Sequence, residues 1–261
     1  MDIQTSTDEA LDADVIIVGG GVTGCAMATA LANGKRRILV LEARTGHKPR
    51  FAGELLHPTG TQVLDDLGFL PTLRHHGGVD VDGFAVVKAL NIPVTRLPYA
   101  EIKNQRPTGF AMEHRDLVTG MREWAEKRPG VTFRFNEKVE EVLRNSHGRV
   151  IGVRTTAKTI RANLVLGCDG RHSKIRPLLG LSEEARLLSF SVAMRLPDGA
   201  KHLPCPTYGH IFLGAWGPML IYPIGGADGS RDARGCFDVT RELSGGPKGA
   251  TELLRREDAP H

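Results

Sequence analysis

Three glycines with the spacing G-x-G-x-x-G stand between a short apolar run and a helix-forming segment, and no other feature constrains the fold as strongly. The run Asp14–Val18 is rich in β-branched residues, which predicts a buried parallel strand. Residues 22–33 have the apolar spacing of a helix, and Arg37–Leu41 has the pattern of a second strand. Strand, glycine turn, helix and strand in this order predict a βαβ unit and therefore an α/β fold.

Each residue of the glycine motif has a mechanical reason to be there. Gly19 permits the tight turn, Gly21 lets the backbone approach a diphosphate, and Gly24 lets the helix pack closely on the strand. The N-terminus of the helix offers free N–H groups and a favourable dipole to an anion. Glu42, at the end of the next strand, can accept both hydroxyls of a ribose and disfavours a 2′-phosphate. The motif therefore predicts a dinucleotide site that does not hold NADP.

The rest of the chain alternates helices and strands before it changes character. We expect helices near 59–67 and over Arg115–Lys127, a strand pair within 83–98, and strands at Val131–Phe135, Lys138–Leu143, Val150–Thr155 and Leu164–Leu166. Antiparallel strands are expected near 187–196, 207–214 and 218–224. Residues 44–57 indicate a loop, and residues 225–250 are rich in glycine and weakly patterned.

Composition and charge exclude several classes of protein. The 34 Lys and Arg residues are spread along the chain, so the net charge of +4 predicts general attraction to anions and not a nucleic-acid-binding protein. The four cysteines, Cys25, Cys168, Cys205 and Cys236, lack CxxC or metal-finger spacing, so we expect reduced thiols, no metal site and a cytoplasmic protein. The acidic N-terminus is unlike a signal peptide, and no apolar run reaches the ~18 residues of a membrane helix.

Three later features favour FAD over NAD as the ligand. The stretch around Asp169-Gly170 resembles the Asp-Gly motif of flavoprotein monooxygenases of the para-hydroxybenzoate hydroxylase fold. Arg115, near the start of a predicted helix, and Arg50, after the second strand, resemble two arginines of the same family. Guanidinium groups pair with phosphate oxygens in a bidentate way, so these arginines suit the diphosphate of FAD. The resemblance implies a Rossmann-type FAD/NAD(P)-binding fold with an inserted, mainly antiparallel β substrate domain.

A narrower resemblance lies in Gly53-Glu-Leu-Leu-His-Pro-Thr-Gly60, which is similar to the Gly-Glu-Leu-Leu-x-Pro-x-Gly segment of squalene epoxidases. Residues 209–213 and 219–223 also resemble that branch, and the similarity runs through residues 13–224 with gaps. One departure is Phe84, which stands where the family carries a tyrosine and cannot donate a hydrogen bond.

The resemblance implies an FAD-dependent monooxygenase. NAD(P)H, as a transient reductant, and molecular oxygen would drive epoxidation or hydroxylation of an apolar or polycyclic substrate through a flavin C4a-hydroperoxide. The residues expected to contact FAD are Gly19, Gly21, Val22, Thr23, Gly24, Glu42, Ala43, Arg50, Leu55, Arg115, Val139, Asp169 and Gly170. No catalytic residue is assigned, because packing is the simpler explanation for the sheet residues Tyr208, His210 and Tyr222.

The expected organisation is a disordered lead-in at 1–12, an FAD-binding domain over 13–185 with inserted strands near 83–98, and a partial β-sheet substrate domain over 186–261. These flavoproteins carry a later Gly-Asp motif that is missing here, since Gly226–Gly229 indicates only a turn. We therefore expect a form truncated at its C-terminus, whose own turnover is open. An FAD-dependent reductase of the geranylgeranyl reductase type and a non-catalytic FAD-binding remnant stay open as alternatives, as do peripheral membrane contact and the oligomeric state.

Overall fold

The computed structural model of the chain describes residues 10–46, 53–88, 94–181, 184, 187–214, 217–226 and 229–240. These residues form two compact units. The first contains residues 10–46 and 121–181, and the second contains residues 53–88, 94–120 and the described residues from 184 onward. None of the described helices is long and apolar enough to cross a membrane.

Helices and strands alternate through the first half of the chain, and strands dominate the second half. In chain order the elements are β1 (Ala13–Val18), α1 (Val22–Leu31), β2 (Ile38–Leu41), β3 (Gly53–Leu56), α2 (Pro58–Asp66), α3 (Leu70–His75), β4 (Val79–Val81), β5 (Gly83–Val87), β6 (Thr95–Pro98), β7 (Gly109–Glu113), α4 (His114–Glu126), β8 (Val131–Arg134), β9 (Val139–Arg144), β10 (Val150–Thr155), β11 (Thr159–Gly167), α5 (Ile175–Leu178), β12 (Ser189–Leu196), β13 (Gly209–Gly214), β14 (Gly217–Gly225) and β15 (Arg231–Thr240). Short 3₁₀ turns lie at Tyr99–Glu101 and Gly199–His202.

The first unit is built on a sheet whose described strands have the order β8-β2-β1-β11-β10-β9. The four strands β8, β2, β1 and β11 run parallel, and β10 and β9 extend the sheet in antiparallel fashion. Ile16 and Val18 pack on one face of β1, where Val139 joins them, and Val15 and Ile17 pack on the other against Ala28 of α1. Because both faces are covered, β1 and β2 are continuous apolar runs. The predicted βαβ unit and Rossmann-type class are confirmed.

The second unit is mainly antiparallel, as the sequence predicts. Its larger sheet has the order β12-β15-β14-β13-β5-β6, and among these described strands only β13 and β5 pair in parallel. A smaller sheet has the order β3-β7-β4. Tyr222 and Ile224 of β14 pack against Val81 of β4 and Ala111 of β7, so this cluster joins the two sheets.

Two segments for which no helix or strand was predicted contain strands. Within the predicted loop 44–57, residues 53–56 form β3, which pairs with β7 far along the chain. Within the weakly patterned segment 225–250, residues 231–240 form β15, the most charged strand of the larger sheet. Its interior residues Asp232 and Arg234 are 5% and 1% exposed. Buried charges hide the apolar alternation that marks a strand, and this explains why β15 was not predicted.

Other predictions need smaller corrections. The short strand predicted at Leu164–Leu166 is the C-terminal part of β11, which begins at Thr159, and β4, β7 and α3 were not predicted. Asp12, which was assigned to a disordered lead-in, exchanges two backbone-directed hydrogen bonds with Arg161; residues 1–9 of that lead-in lie outside the described residues. The strands within 83–98 belong to the larger sheet of the second unit. The division into FAD-binding and substrate domains near residue 185 stays a prediction.

Candidate dinucleotide site

The glycine turn after β1 is closed by backbone from three strands. The N–H of Gly19 donates to the carbonyl oxygen of Leu41 at the end of β2 (2.8 Å), and the N–H of Cys168 after β11 donates to the carbonyl oxygen of Val18 (2.7 Å). Gly19 has a φ of +103°, and a Cβ there would lie 2.5 Å from the carbonyl oxygen of Cys168. Only glycine fits at this position, because any side chain would meet both the strained φ and the neighbouring backbone.

Helix α1 packs closely on the glycine turn at Gly24, and the position beside its N-cap, Gly21, is open. A Cβ at Gly24 would lie 1.8 Å from the carbonyl oxygen of Gly19, so the helix rests directly on the turn. A Cβ at Gly21, the N-cap, would meet no atom of the described residues within 4 Å, and Gly21 has no side chain to cap the helix. The N–H groups of the first turn lack intrahelical acceptors and form the positive end of the helix dipole. Open space beside such donors fits a diphosphate.

Glu42 holds the other side of the turn. One carboxylate oxygen, Oε2, accepts the N–H of Gly20 (2.9 Å), and the second, Oε1, accepts the N–H of Arg44 (3.1 Å). Its side chain is 16% exposed. A carboxylate offers about four lone-pair positions, so these two bonds leave acceptor capacity for the hydroxyls of a ribose.

Arg122, in the second half of α4, completes the arrangement, and the sequence analysis missed it. Its Nε donates to the carbonyl oxygen of Gly20 (2.7 Å), and its Nη2 lies 3.3 Å from Oε2 of Glu42. The guanidinium lies over the ring of Phe135, 5.3 Å from the centroid, and the side chain is 12% exposed. No local motif marks this arginine, because its partners lie about 80 and 100 residues earlier in the chain. Only the fold brings the three together.

Comparison with known proteins assigns the family. Residues 12–213 match the FAD-binding domain family. The chain belongs to this family. Squalene epoxidase erg1 of Aspergillus fumigatus is 34% identical over 238 residues, which cover 88% of this chain and 48% of that protein. Squalene monooxygenase of Mus musculus is 30% identical over 262 residues, which cover 98% of this chain and 44% of that protein. The chain thus spans about half the length of these curated relatives.

A solved structure has a similar fold. PqsL of Pseudomonas aeruginosa, in complex with 2-aminobenzoylacetate, matches with a TM-score of 0.75 and 24% identity over 94% of this chain and 66% of that chain. At this identity the likeness shows the fold alone. Together the matches confirm the predicted resemblance to flavoprotein monooxygenases and to their squalene epoxidase-like branch.

The Asp-Gly motif of this FAD-binding domain lies beside the glycine turn. A Cβ at Gly19 would lie 2.8 Å from Cα of Asp169, so the two predicted segments meet at the carboxyl edge of the sheet. The Asp169 carboxylate accepts the hydroxyl of Ser173 (2.7 Å) and the N–H groups of Lys174 (2.6 Å) and Ile175 (3.2 Å). It therefore shapes the turn that leads into α5. Gly170 has a φ of +81°, and among the described residues no atom lies within 4 Å of where its Cβ would stand.

The remaining predicted cofactor residues of the FAD-binding domain differ in setting. Thr23 and Ala43 are exposed and Val22 is half-buried, all next to the glycine turn or Glu42 in sequence. The Val139 side chain packs in the core with Val153, so a contact with FAD would have to come from its backbone. Leu55 and Arg115 lie in the second unit; the Arg115 side chain is 74% exposed and its Nε donates to Asp116 (3.2 Å). Arg50 lies outside the described residues. All these contacts stay predictions.

The thiols near the turn are poor nucleophiles. Cys25 is fully buried in α1, its Sγ–H points to the carbonyl oxygen of Gly20 (3.7 Å), and desolvation raises its pKa to about 12. Desolvation by burial, with a smaller contribution from the neighbouring charge of Asp169, raises the pKa of Cys168 as well. Neither thiol is the reactive thiolate that covalent chemistry would need.

Three rings of the second unit form an aromatic cluster at the position of the missing family tyrosine. The ring centroids of His57, Phe84 and Tyr99 lie 5.7 to 6.0 Å apart in pairs. Tyr99 carries a hydroxyl within this cluster, and its phenol oxygen is 2.7 Å from Nδ1 of His57. Burial raises the pKa of Tyr99 to about 12, so the phenol stays protonated at neutral pH.

The three residues that were not assigned a catalytic role differ in setting: Tyr222 and His210 lie in strands of the larger sheet, whereas Tyr208 precedes β13. Tyr222 is 5% exposed, and its burial raises the pKa of the phenol. His210 is fully buried, and its Nε2 accepts the N–H of Cys205 (3.2 Å). Tyr208 is half-buried.

Proposed function

We propose that this chain is the FAD-binding part of an FAD-dependent monooxygenase, which uses NAD(P)H and molecular oxygen to epoxidise or hydroxylate an apolar or polycyclic substrate. The observation that carries the proposal is the glycine turn, where an open helix N-terminus and an ordered carboxylate stand together in a chain of the FAD-binding domain family. The squalene epoxidases among its relatives favour the oxygenase reaction and the apolar substrate class.

The ADP half of FAD suits the first unit. The N–H groups at the start of α1, beside Gly21, would hold the diphosphate, and the carboxylate of Glu42 would accept the ribose hydroxyls. FAD, when bound, would supply the redox chemistry that couples oxidation of NAD(P)H to the use of oxygen. The residues of the chain would bind the cofactor, orient it and exclude water from it. The second unit would supply the substrate side, where an apolar alkene needs no general base.

The cofactor claim is tested by the flavin that the chain retains. Purified 261-residue chain is mixed with excess FAD or FMN, passed through a desalting column, and examined by its absorption spectrum. FAD should remain bound and FMN should not, because FMN lacks the ADP half that Gly21 and Glu42 would hold. Equal retention of both flavins, or of neither, would contradict the proposal.

The reaction class needs a second measurement on the FAD-loaded protein. Oxygen consumption coupled to NAD(P)H oxidation, with an oxygenated product, would support the monooxygenase. Saturation of a prenyl chain without oxygen uptake would instead support a reductase of the geranylgeranyl reductase type.

A further inference from the structure

We propose that Arg122 is a positioning residue for nucleotide recognition: it orients Glu42 for the ribose and offsets the charge of that carboxylate next to the diphosphate site. The inference rests on the proposed FAD site and assigns a role to a residue outside the glycine motif. It is carried by the closed set of contacts among Arg122, Gly20 and Glu42.

The peptide groups of Gly20 are held on both sides. Its N–H donates to Oε2 of Glu42 (2.9 Å), and its carbonyl oxygen accepts from Nε of Arg122 (2.7 Å). The same guanidinium reaches Oε2 through Nη2 at 3.3 Å. Gly20 immediately precedes Gly21, so this arrangement sets the direction of the backbone at the point where α1 begins. The backbone therefore already has the conformation that binding needs before the nucleotide arrives, and less conformational entropy is lost on binding.

The guanidinium itself has little freedom. It stacks over Phe135 and is 12% exposed, and its planar group presents donors in a fixed fork. Both contacts to Glu42 and Gly20 come from this one plane. A lysine at position 122 would keep the positive charge but could not make both contacts, to Gly20 and to Glu42, in fixed directions.

Charge makes the second contribution. A carboxylate next to a diphosphate site repels the ligand, and the repulsion is stronger where water is partly excluded. The side chains of Glu42 and Arg122 are 16% and 12% exposed, so the nearby guanidinium offsets much of that repulsion. Because Arg122 and the N–H of Gly20 both occupy Oε2, the oxygen left for a ribose is Oε1, which otherwise accepts the N–H of Arg44.

The test compares ADP with 2′-deoxy-ADP by calorimetric titration of the full chain. The ratio of their dissociation constants reports the hydroxyl contact alone, and a general loss of stability would not change it. We expect a ratio of about ten in the wild type, because a hydrogen bond to a charged acceptor is worth about tenfold in affinity or more. In Arg122→Gln, ADP should bind about tenfold more weakly and the ratio should fall to about two.

Three further variants separate the two contributions. Arg122→Lys should recover part of the ADP affinity, through charge, while the ratio stays near two. In a Glu42→Gln background, Arg122→Gln should cause no further change in the ratio. Lys127→Gln removes the same formal charge just beyond α4, from an exposed pair with Glu123, and should leave both constants unchanged.

The outcomes are distinguishable. If Arg122→Gln weakens both nucleotides equally and keeps the wild-type ratio, or leaves both constants unchanged while wild type binds FAD, the positioning role is overturned. If wild type binds neither ADP nor FAD, the proposed function falls with it. Circular dichroism and thermal melting are recorded for each variant, and if Arg122→Gln does not fold, the ratio measured in Arg122→Lys decides.

Discussion

Gly24 lies so close to Gly19 that a Cβ on Gly24 would stand 1.8 Å from the Gly19 carbonyl oxygen. A methyl group here must push the helix off the turn, because the obstacle is backbone and not a flexible side chain. We therefore expect Gly24→Ala to lower the free energy of unfolding by about 3 kcal/mol, as overpacking in a close-packed interior does.

Gly21→Ala is the matched comparison for that change. Its Cβ would meet no atom of the described part of the chain within 4 Å, and its φ of −87° suits any residue, so the free energy of unfolding should not fall. Urea unfolding followed by circular dichroism measures both variants. If Gly24→Ala and Gly21→Ala lower the free energy of unfolding equally, the close contact between Gly24 and Gly19 is not the cause of the destabilisation.

Buried charge in the second unit supports a separate prediction. The Arg234 side chain is 2% exposed and pairs with Glu113, which is 20% exposed. Glu113→Ala removes a carboxylate from a guanidinium that water cannot reach, and the free energy of unfolding should fall by about 3 kcal/mol. Arg234→Met should lower the free energy of unfolding by less, since it removes the buried charge itself.

The measurement is again the urea midpoint, with Glu140→Ala as the control because its pair with Arg154 is exposed. The control should leave the midpoint where it is. A Glu113→Ala midpoint equal to that of the control would show that the ion pair does not stabilise this sheet.

Short stretches of sequence were enough to predict the βαβ unit. The apolar runs of β1 and β2 and the glycine spacing define the βαβ unit without help from distant residues. β3 and β15 needed distant partners: β3 is a strand because β7 lies beside it, and β15 holds Asp232 and Arg234 because Arg195 and Glu113 pair with them. Arg122 could not be chosen among the 34 Lys and Arg residues for the same reason.

His210 should make stability depend on pH. It is fully buried, and desolvation lowers its pKa below the ordinary value of about 6.5 that it has in the unfolded chain. As pH falls below that value, the unfolded chain binds a proton that the folded one refuses. Stability is therefore full above about pH 6.5 and falls by up to about 1.4 kcal/mol per pH unit, until the lowered folded pKa is reached.

Melting temperatures between pH 7.5 and 5 test this behaviour. His210→Gln should reduce the slope, because its side-chain oxygen can still accept the N–H of Cys205 without titrating. His147→Gln, at an exposed position between β9 and β10, should keep the wild-type slope. An unchanged slope in His210→Gln would mean that other groups cause the acid sensitivity.

Cys25 should be inert toward thiol reagents at pH 8. Its pKa of about 12 leaves only a trace of thiolate, and the side chain is buried. The number of thiols that react rapidly with an aromatic disulfide should be the same in wild type and in Cys25→Ala. A Cys25→Ala protein with one fewer rapid thiol would show that α1 opens readily at the glycine turn.

Calorimetric titration with FAD tests the central claim most directly, when wild type is compared with Gly21→Val and Gly148→Asn. Gly148 lies between β9 and β10 at a φ of +77° that asparagine tolerates, also with open space beside it, so this variant should bind as wild type does. Wild type should bind one FAD, and Gly21→Val should bind at least about a hundredfold more weakly, with an unchanged melting temperature, because the valine fills the diphosphate site. Wild-type affinity in Gly21→Val, or no binding by wild type, would contradict the account.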